Sequence, residues 1–464
     1  MTFEQILALL LFCCTVLAYL TLFSLGRRWR REFTAKGIGY WNAPKIERMK
    51  ELTTELWRPR LIALFYALAY YANGYTKITF SIWASLYLLQ IRGISTFEAA
   101  LFLGLVYVSW QWKMFIGMLS DAVPIRFRGK AYRRRPWFVA AGALSFLAMM
   151  GFLNSNFSEM SIWTQFFPLA LAMTTASALF DIAADSYDLD VTPPEWHARV
   201  LGGANTVGMA LGGVTASLLS PLFIAWGGYQ LVFVSGGLVG LLAFPFLILQ
   251  EPALERERVF TKEAIAFTFT EKTVLIAALL MIGAAIGIRR ISNPTGGMFS
   301  LILNEVITNV TPTMAGNIAM ITLLAGIPAS VIGSWAADKW GHRRLYRISG
   351  IVLMASGYLW MTLERGMVTW FVVLAIVSNF LERINAGGRM ALMGDATPLA
   401  LSATVFQMYM SFSWIGNIPA SLIIGILLPW NIPLLFAVLA SFMIVPLVLS
   451  RYLTPYEAGK ASNV

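Results

Sequence analysis

Thirteen apolar stretches follow one another along the chain, separated by short polar segments. They lie near 4–25, 61–90, 97–120, 136–154, 162–190, 198–225, 229–250, 273–305, 313–338, 345–364, 368–394, 399–428 and 432–451. A helix needs about 20 residues to cross a hydrocarbon core about 30 Å thick, and each stretch is near or above that length. With the first numbered zero and the rest one to twelve, the pattern predicts an all-α membrane protein. It has an extra N-terminal transmembrane helix at 1–26, a linker at 27–60, and six-helix bundles at 61–250 and 273–452. A polar segment at 251–272 joins the bundles, and 453–464 forms a tail.

Charged residues break the apolar pattern near the middle of four spans. Lys77 lies in span one, Asp181 and Asp185 in span four, Arg289 and Arg290 in span seven, and Glu382 with Arg383 in span ten. A charge at mid-bilayer costs on the order of 2.5–3.5 kcal/mol, so such residues face protein or a watery cavity. Their recurrence at every third helix predicts one shared polar pathway, and hence a transporter.

Composition agrees with membrane residence. The 464 residues are 58% hydrophobic and 13% charged, against about 45–50% and about 25% in soluble domains. The net charge of +11 does not signal nucleic-acid binding, because the basic residues collect in alternate loops. Arg27 to Arg60, Arg126 to Arg135, Arg256 to Lys272 and Lys339 to Arg347 carry them, while the opposite loops carry only Arg92 and Arg365. The positive-inside rule then makes the basic loops and the C-terminal tail cytoplasmic. No basic residue precedes span zero, and Arg27 to Arg31 follow it. This order is the reverse of a cleaved signal and predicts a retained helix with its N-terminus outside. Cys13 and Cys14, the two cysteines, offer no disulfide framework. Without an H-E-x-x-H or a G-x-x-x-x-G-K-[ST], neither a metal site, a cofactor nor enzymatic turnover is expected.

Both halves carry a glycine, an acid and a basic cluster between their second and third spans. The first reads Gly117-Met118-Leu119-Ser120-Asp121, followed by Arg126 to Arg135 and Pro136-Trp137. The second runs from Gly333 to Asp338 and on through Gly341-His342-Arg343-Arg344. Glycine permits close helix contact, and an acid at a helix end can hold an arginine as a polar latch during alternating access. Gly117, Asp121, Arg133, Arg134, Arg135, Asp338, Arg343 and Arg344 are therefore gate candidates. Asp185 and Asp188 are read as partners of Arg133 to Arg135, since Asp181 already lies about 29 Å along its helix. Arg389 and Asp395 are placed with the same gate.

These segments resemble the signature loop of the major facilitator superfamily, G-x-x-x-D followed by arginines, over roughly residues 60–452. The second copy departs by one step, with five from Gly333 to Asp338. The extended first loop, the Phe180 to Asp190 stretch (similar to D-I-x-x-D-A-[YW]) and the Asn379 to Gly388 stretch (similar to E-N-x-x-G-G) resemble one branch further. That branch contains muropeptide permeases of the AmpG type and acetyl-CoA transporters, and it implies inward movement of a sizeable solute. Sugar–cation symporters and PucC-like pigment-related proteins share the R-R-x-P-W-like loop end, so a neutral-sugar symporter or an assembly role remains open.

Among the mid-span residues, cations outnumber acids. The expected solute is a small organic anion with carboxylate or phosphate groups, held by Lys77 and Arg289, with Arg290, Glu382, Arg383, Tyr71 and Tyr75 nearby. Asp181 or Glu382 is the expected proton carrier, and interhelical ion pairing is the structural alternative for every one of these charges. Lys113, Gln111, Gln407 and Asn417 are weaker cavity candidates. The coupling ion is expected to be a proton, and the chain a monomer in the inner (cell) membrane.

Overall fold

In a bilayer core the backbone finds no partner but itself, so long apolar runs fold as helices. The computed structural model describes scattered positions between 17 and 31, then residues 59–453 apart from 123–124, 128–129, 158, 193–199, 201–202, 249–261, 297, 308 and 399–401. The expected extra helix at 1–26, most of the linker and the tail fall outside the described residues.

Helices cover all twelve remaining stretches. Helix α1 (Pro59–Ile78) continues through Thr79–Ala84 and Tyr87–Ile91 in wider turns, as when the Arg92 N–H reaches Tyr87 O at 3.0 Å. Helix α2 starts at Thr96–Val106, where the Ser95 hydroxyl caps the Glu98 N–H, and resumes as Val108–Gln111 and Lys113–Ala122. The loop after it contains a two-stranded hairpin, β1 (Ile125–Phe127) paired antiparallel with β2 (Lys130–Tyr132). Helices α3 (Arg135–Leu153) and α4 (Phe167–Val191) follow. Helices α5 (205–226) and α6 (229–248) run on from one another, separated only at Gly227 and Gly228. Gly228 has φ 72°, a left-handed value that suits glycine.

The segment joining the halves is more ordered than a polar loop, because Lys262–Thr270 is helical and buries Phe267 and Phe269. Helix α7 is broken into Lys272–Ile286, Arg289–Ser292, Pro294–Gly296 and Phe299–Val306. One interruption falls where Asn293-Pro294 and two glycines predict one, and another precedes it at Gly287–Ile288. Helices α8 (Pro312–Trp340), α9 (His342–Leu359) and α10 (Val368–Asp395) are continuous. Helix α11 is split at Gly416 into Ser402–Ile415 and Asn417–Trp430, and α12 comprises Ile432–Ser441 and Ile444–Leu449.

Small residues set the tightest contacts. A Cβ added to Gly74 or Gly212 would overlap the carbonyls of Met209 and Tyr71, so α1 and α5 touch backbone to backbone. Gly333 of α8 meets Ile384 and Gly387 of α10 in the same way. Two apolar clusters lie on either side of a polar layer. One, towards the basic loops, contains Tyr70, Phe138, Phe180, Phe406 and Tyr409; the other contains Trp83, Phe102, Phe233, Trp360 and Phe436. Each draws on both halves, which also meet directly on both sides of the layer. Towards the basic loops the Met114 N–H donates to Ser411 Oγ at 2.9 Å. Towards the other end Ser81 Oγ donates to Pro294 O at 2.6 Å, and Gln90 to Val310 O at 2.8 Å. The halves thus touch each other on both sides of the layer.

Candidate functional site

The polar layer surrounds a cavity of about 80 Å³, space for a handful of waters. It is lined from both halves, by α1, α2, α4 and α5 on one side and α7, α10 and α11 on the other.

On α10, Glu382 and Arg389 are seven residues apart and so share a face. The break in α7 brings Arg289 to the same carboxylate. Glu382 Oε1 lies 3.1 Å from Arg289 Nε and 3.1 Å from Arg389 Nη2, and Glu382 Oε2 lies 3.9 Å from Arg383 Nε. Arg383 also donates to Asn293 Oδ1 at 3.2 Å, an acceptor exposed by the α7 break. Arg290 donates to the Ser413 carbonyl at 3.0 Å and to that of Ala285 at 3.3 Å. Three guanidinium groups therefore surround one carboxylate, with the fourth, Arg290, held on carbonyls nearby, and that carboxylate can neutralise one unit of charge. The surplus is positive.

The first half is arranged differently. Asp181 is paired with Lys113 and accepts from Asn73 at 2.8 Å. One turn on, Asp185 accepts from Tyr66 and Tyr70, each at 2.6 Å, and from Gln407 of the opposite half at 3.0 Å. Lys113 Nζ is 3.8 Å from its other oxygen. Lys77 is buried and makes no ion pair among the described residues. Its ammonium group lies 4.2 Å from the Trp110 ring and 5.5 Å from the Trp414 ring. Arg290 lies 4.7 Å from that same Trp414 ring. An indole face attracts a cation without cancelling its charge. Trp110 is fixed in turn by donating to Thr174 O at 3.1 Å, and Trp414 by stacking on Tyr107 at 4.7 Å.

The structure brings Lys77, Asp181, Arg289, Arg290, Glu382 and Arg383 to this one cavity. Several other expectations need correction. Tyr71 and Tyr75 do not line the cavity. Tyr75 bonds Ser235 at 2.8 Å inside the first half, and Tyr71 backs onto α5. The tyrosines that reach Asp185 are Tyr66 and Tyr70, because residues one apart on a helix point about 100° apart. Asp185 and Asp188 do not meet Arg133 to Arg135 as a latch. Asp185 belongs to the central network, and Asp188 accepts from Thr192 at 2.5 Å. Arg134 binds Asp190 at 2.9 Å and Ser120 at 2.6 Å. The helical run from Ile162 to Val191 is longer than a hydrocarbon core needs, so distance along it does not fix the depth of Asp185. Arg389 also leaves the gate for the cavity.

The other gate candidates lie at the basic end. Arg133 O accepts from Ser120, and Arg135 lies 4.9 Å from the Tyr132 ring. Gly117 is buried near the end of α2, while the Asp121 side chain is outside the described residues. Asp338, Arg343 and Arg344 surround the α8–α9 turn, where His342 Nδ1 meets Asp395 at 2.6 Å. Burial lowers the affinity of His342 for its proton, but the hydrogen bond and charge of Asp395 outweigh this and raise its pKa above the ordinary 6.5. The residues that sequence reasoning undervalued are Lys113, Arg389, Trp110 and Trp414. Lys113 and Arg389 were visible as charges inside apolar stretches. Nothing in the sequence separates the two indoles from the other fourteen tryptophans, of 16 in all.

A model of the Major Facilitator Superfamily matches residues 113–305 and 291–464. Among curated proteins, the chain is similar to "Probable folate-biopterin transporter 6" of Arabidopsis thaliana, with 24% identity over 155 residues. That match spans 32% of this chain and 30% of the relative. Among solved structures it resembles the proton:xylose symporter XylE with bound 6-bromo-6-deoxy-D-glucose (TM-score 0.65, 14% identity, 85% of this chain and 96% of the other). It also resembles the Escherichia coli fucose:proton symporter FucP (TM-score 0.59, 13% identity, 85% and 97%). A bacterial homologue of the iron transporter ferroportin gives a TM-score of 0.59 at 14% identity over 86% and 98%. At such identities the likeness is one of fold.

Proposed function

The chain belongs to the major facilitator superfamily, and on that premise we propose that it is a proton-coupled secondary transporter of an organic anion. The observation that carries this reading is the charge around the cavity. Six cations (Lys77, Lys113, Arg289, Arg290, Arg383 and Arg389) face Asp181, Glu382 and the adjacent Asp185. Buried cations in excess of their acids are costly unless a counter-charge arrives, and an anionic solute supplies it. Lys77 and Arg289 hold that solute, one from each half.

Asp181 is the proposed proton carrier. In its charged form it holds Lys113 in an ion pair. A proton on Asp181 dissolves that pair and frees the Lys113 ammonium for the solute, so proton and anion favour each other's binding. Glu382, gripped by three guanidinium groups, serves as their structural counter-ion. The Arg134–Asp190 and His342–Asp395 contacts latch the basic end, which the loop charges assign to the cytoplasm.

The relative named for folate and biopterin, and the AmpG-like motifs, point to two classes of larger anion. A cavity of about 80 Å³ is too small for either in this arrangement, so loading either one requires the halves to part. The polar centre favours transport over an assembly role of the PucC-like kind.

Uptake into proteoliposomes, under an imposed pH gradient and with panels of charged and neutral solutes, tests the reading. Accumulation of an organic anion that collapses with the gradient is expected. Uptake of a neutral sugar that no anion competes with overturns it.

A further inference from the structure

The central cations are not spread evenly, and their distribution says how many negative groups the solute carries. Two separate positions lack full compensation. Lys77 of α1 lies among indole rings with no carboxylate within ion-pair distance among the described residues. Arg289 of α7 shares its one carboxylate, Glu382, with Arg389 and at longer range with Arg383. Arg289 is also the guanidinium most open to the cavity, with a side chain 25% exposed against 2% for Arg383 and Arg389.

These positions belong to opposite halves. They are tied to one plate, since Lys77 lies 5.5 Å from the Trp414 ring and Arg290, the residue beside Arg289, lies 4.7 Å from it. The indoles orient the cationic head of Lys77 while leaving its charge available. A monoanion at Arg289 leaves Lys77 buried with no carboxylate partner among the described residues, and one at Lys77 leaves Arg289 sharing Glu382 with Arg389, in a layer flanked by apolar clusters on both sides.

We infer that the transported solute is at least a dianion with two separate acidic groups, one held by Lys77 and the other by Arg289. The two groups bridge the halves. Binding at Lys77 alone or Arg289 alone does not draw the halves together, whereas a bridging dianion ties α1 to α7. This refinement rests on the organic-anion reading.

The test uses the purified full-length chain in nanodiscs and straight-chain dicarboxylates from succinate to suberate, each beside its monomethyl ester. The ester keeps the length and removes one charge. Calorimetry should find the preferred diacid bound about tenfold or more tighter than its ester. Lys77→Gln should bring the diacid down to the affinity of the ester and leave the ester within about twofold of its original value. Lys77→Arg should keep the preference for the diacid, which guards against a trivial folding defect in the glutamine variant. Equal binding of diacid and ester overturns the inference while the organic-anion reading stands. So does equal weakening of both by Lys77→Gln. Failure of every diacid and every ester to bind, with binding of neutral pentoses or hexoses in their place, removes both.

Discussion

The two halves are built on one helical plan and filled with opposite chemistry. In the first, the acids have mainly neutral company. Asp181 has Asn73 and one lysine, and Asp185 has two tyrosines and a glutamine. In the second, arginines crowd round Glu382. A carboxylate with a single lysine partner can lose its charge and release one cation, which still lies 3.8 Å from Asp185. A carboxylate caged by guanidinium groups cannot do so without stranding several. The lesson is that a shared scaffold fixes where side chains meet, and the side chains alone decide what chemistry the meeting point holds.

Removing the acid of the second half should do the most damage. Glu382→Gln strands Arg289 and Arg389 beside a neutral amide, and breaking a buried pair of this kind costs roughly 3–5 kcal/mol. Thermal unfolding in nanodiscs measures it. Asp181→Asn, with Asn73 and Asp185 still close to Lys113, should cost less, and equal losses would break the contrast.

Arg289→Ala comes next. Anion affinity should fall by about 2–3 kcal/mol, roughly 30- to 150-fold, with the melting temperature little changed. Unfolding without a binding-competent fraction would assign Arg289 to structure. Gln407→Leu takes one donor from Asp185 and one tie from between the halves, worth about 1–2 kcal/mol. Labelling of cysteines placed at the basic end should then speed up, while labelling at the opposite end stays constant.

The smallest effect separates the two latches. The pKa of His342 is raised in the folded chain, so the pair with Asp395 contributes fully below the unfolded value of 6.5 and fades as pH rises through the folded one. His342→Ala should lower the melting temperature at pH 6 and leave it nearly unchanged at pH 9. The Arg134–Asp190 latch contains no histidine, so Arg134→Ala should show the same loss at both.

Most of the frame was legible from hydrophobicity, because a bilayer demands apolar runs of fixed length and little else competes with that demand. The break in α7 was legible too, since proline and glycine at Asn293 to Gly297 cannot continue a helix. What escaped was rotation and depth. Choosing Tyr71 over Tyr70 is an error of one residue, or about 100° round α1. Placing Asp185 and Arg389 at the gate is an error of about one turn. An apolar span carries no marker of its own mid-depth, and these polar residues found theirs through partners far away in sequence, as when Gln407 reached Asp185.

The two apolar clusters around the polar layer have an electrical consequence. Layers without water or mobile ions carry most of a transmembrane voltage, so the six cations between them sit part-way down the field. A unit charge crossing a full 100 mV gains or loses about 2.3 kcal/mol, and one near the middle works against roughly half of that. Opening first one cluster and then the other shifts where the voltage falls, and so changes the energy of every uncompensated charge between them. On the proposed anion reading, the bound solute is cargo and also the charge that screens the protein's own voltage sensitivity. Currents recorded from the empty and the loaded carrier should differ for that reason.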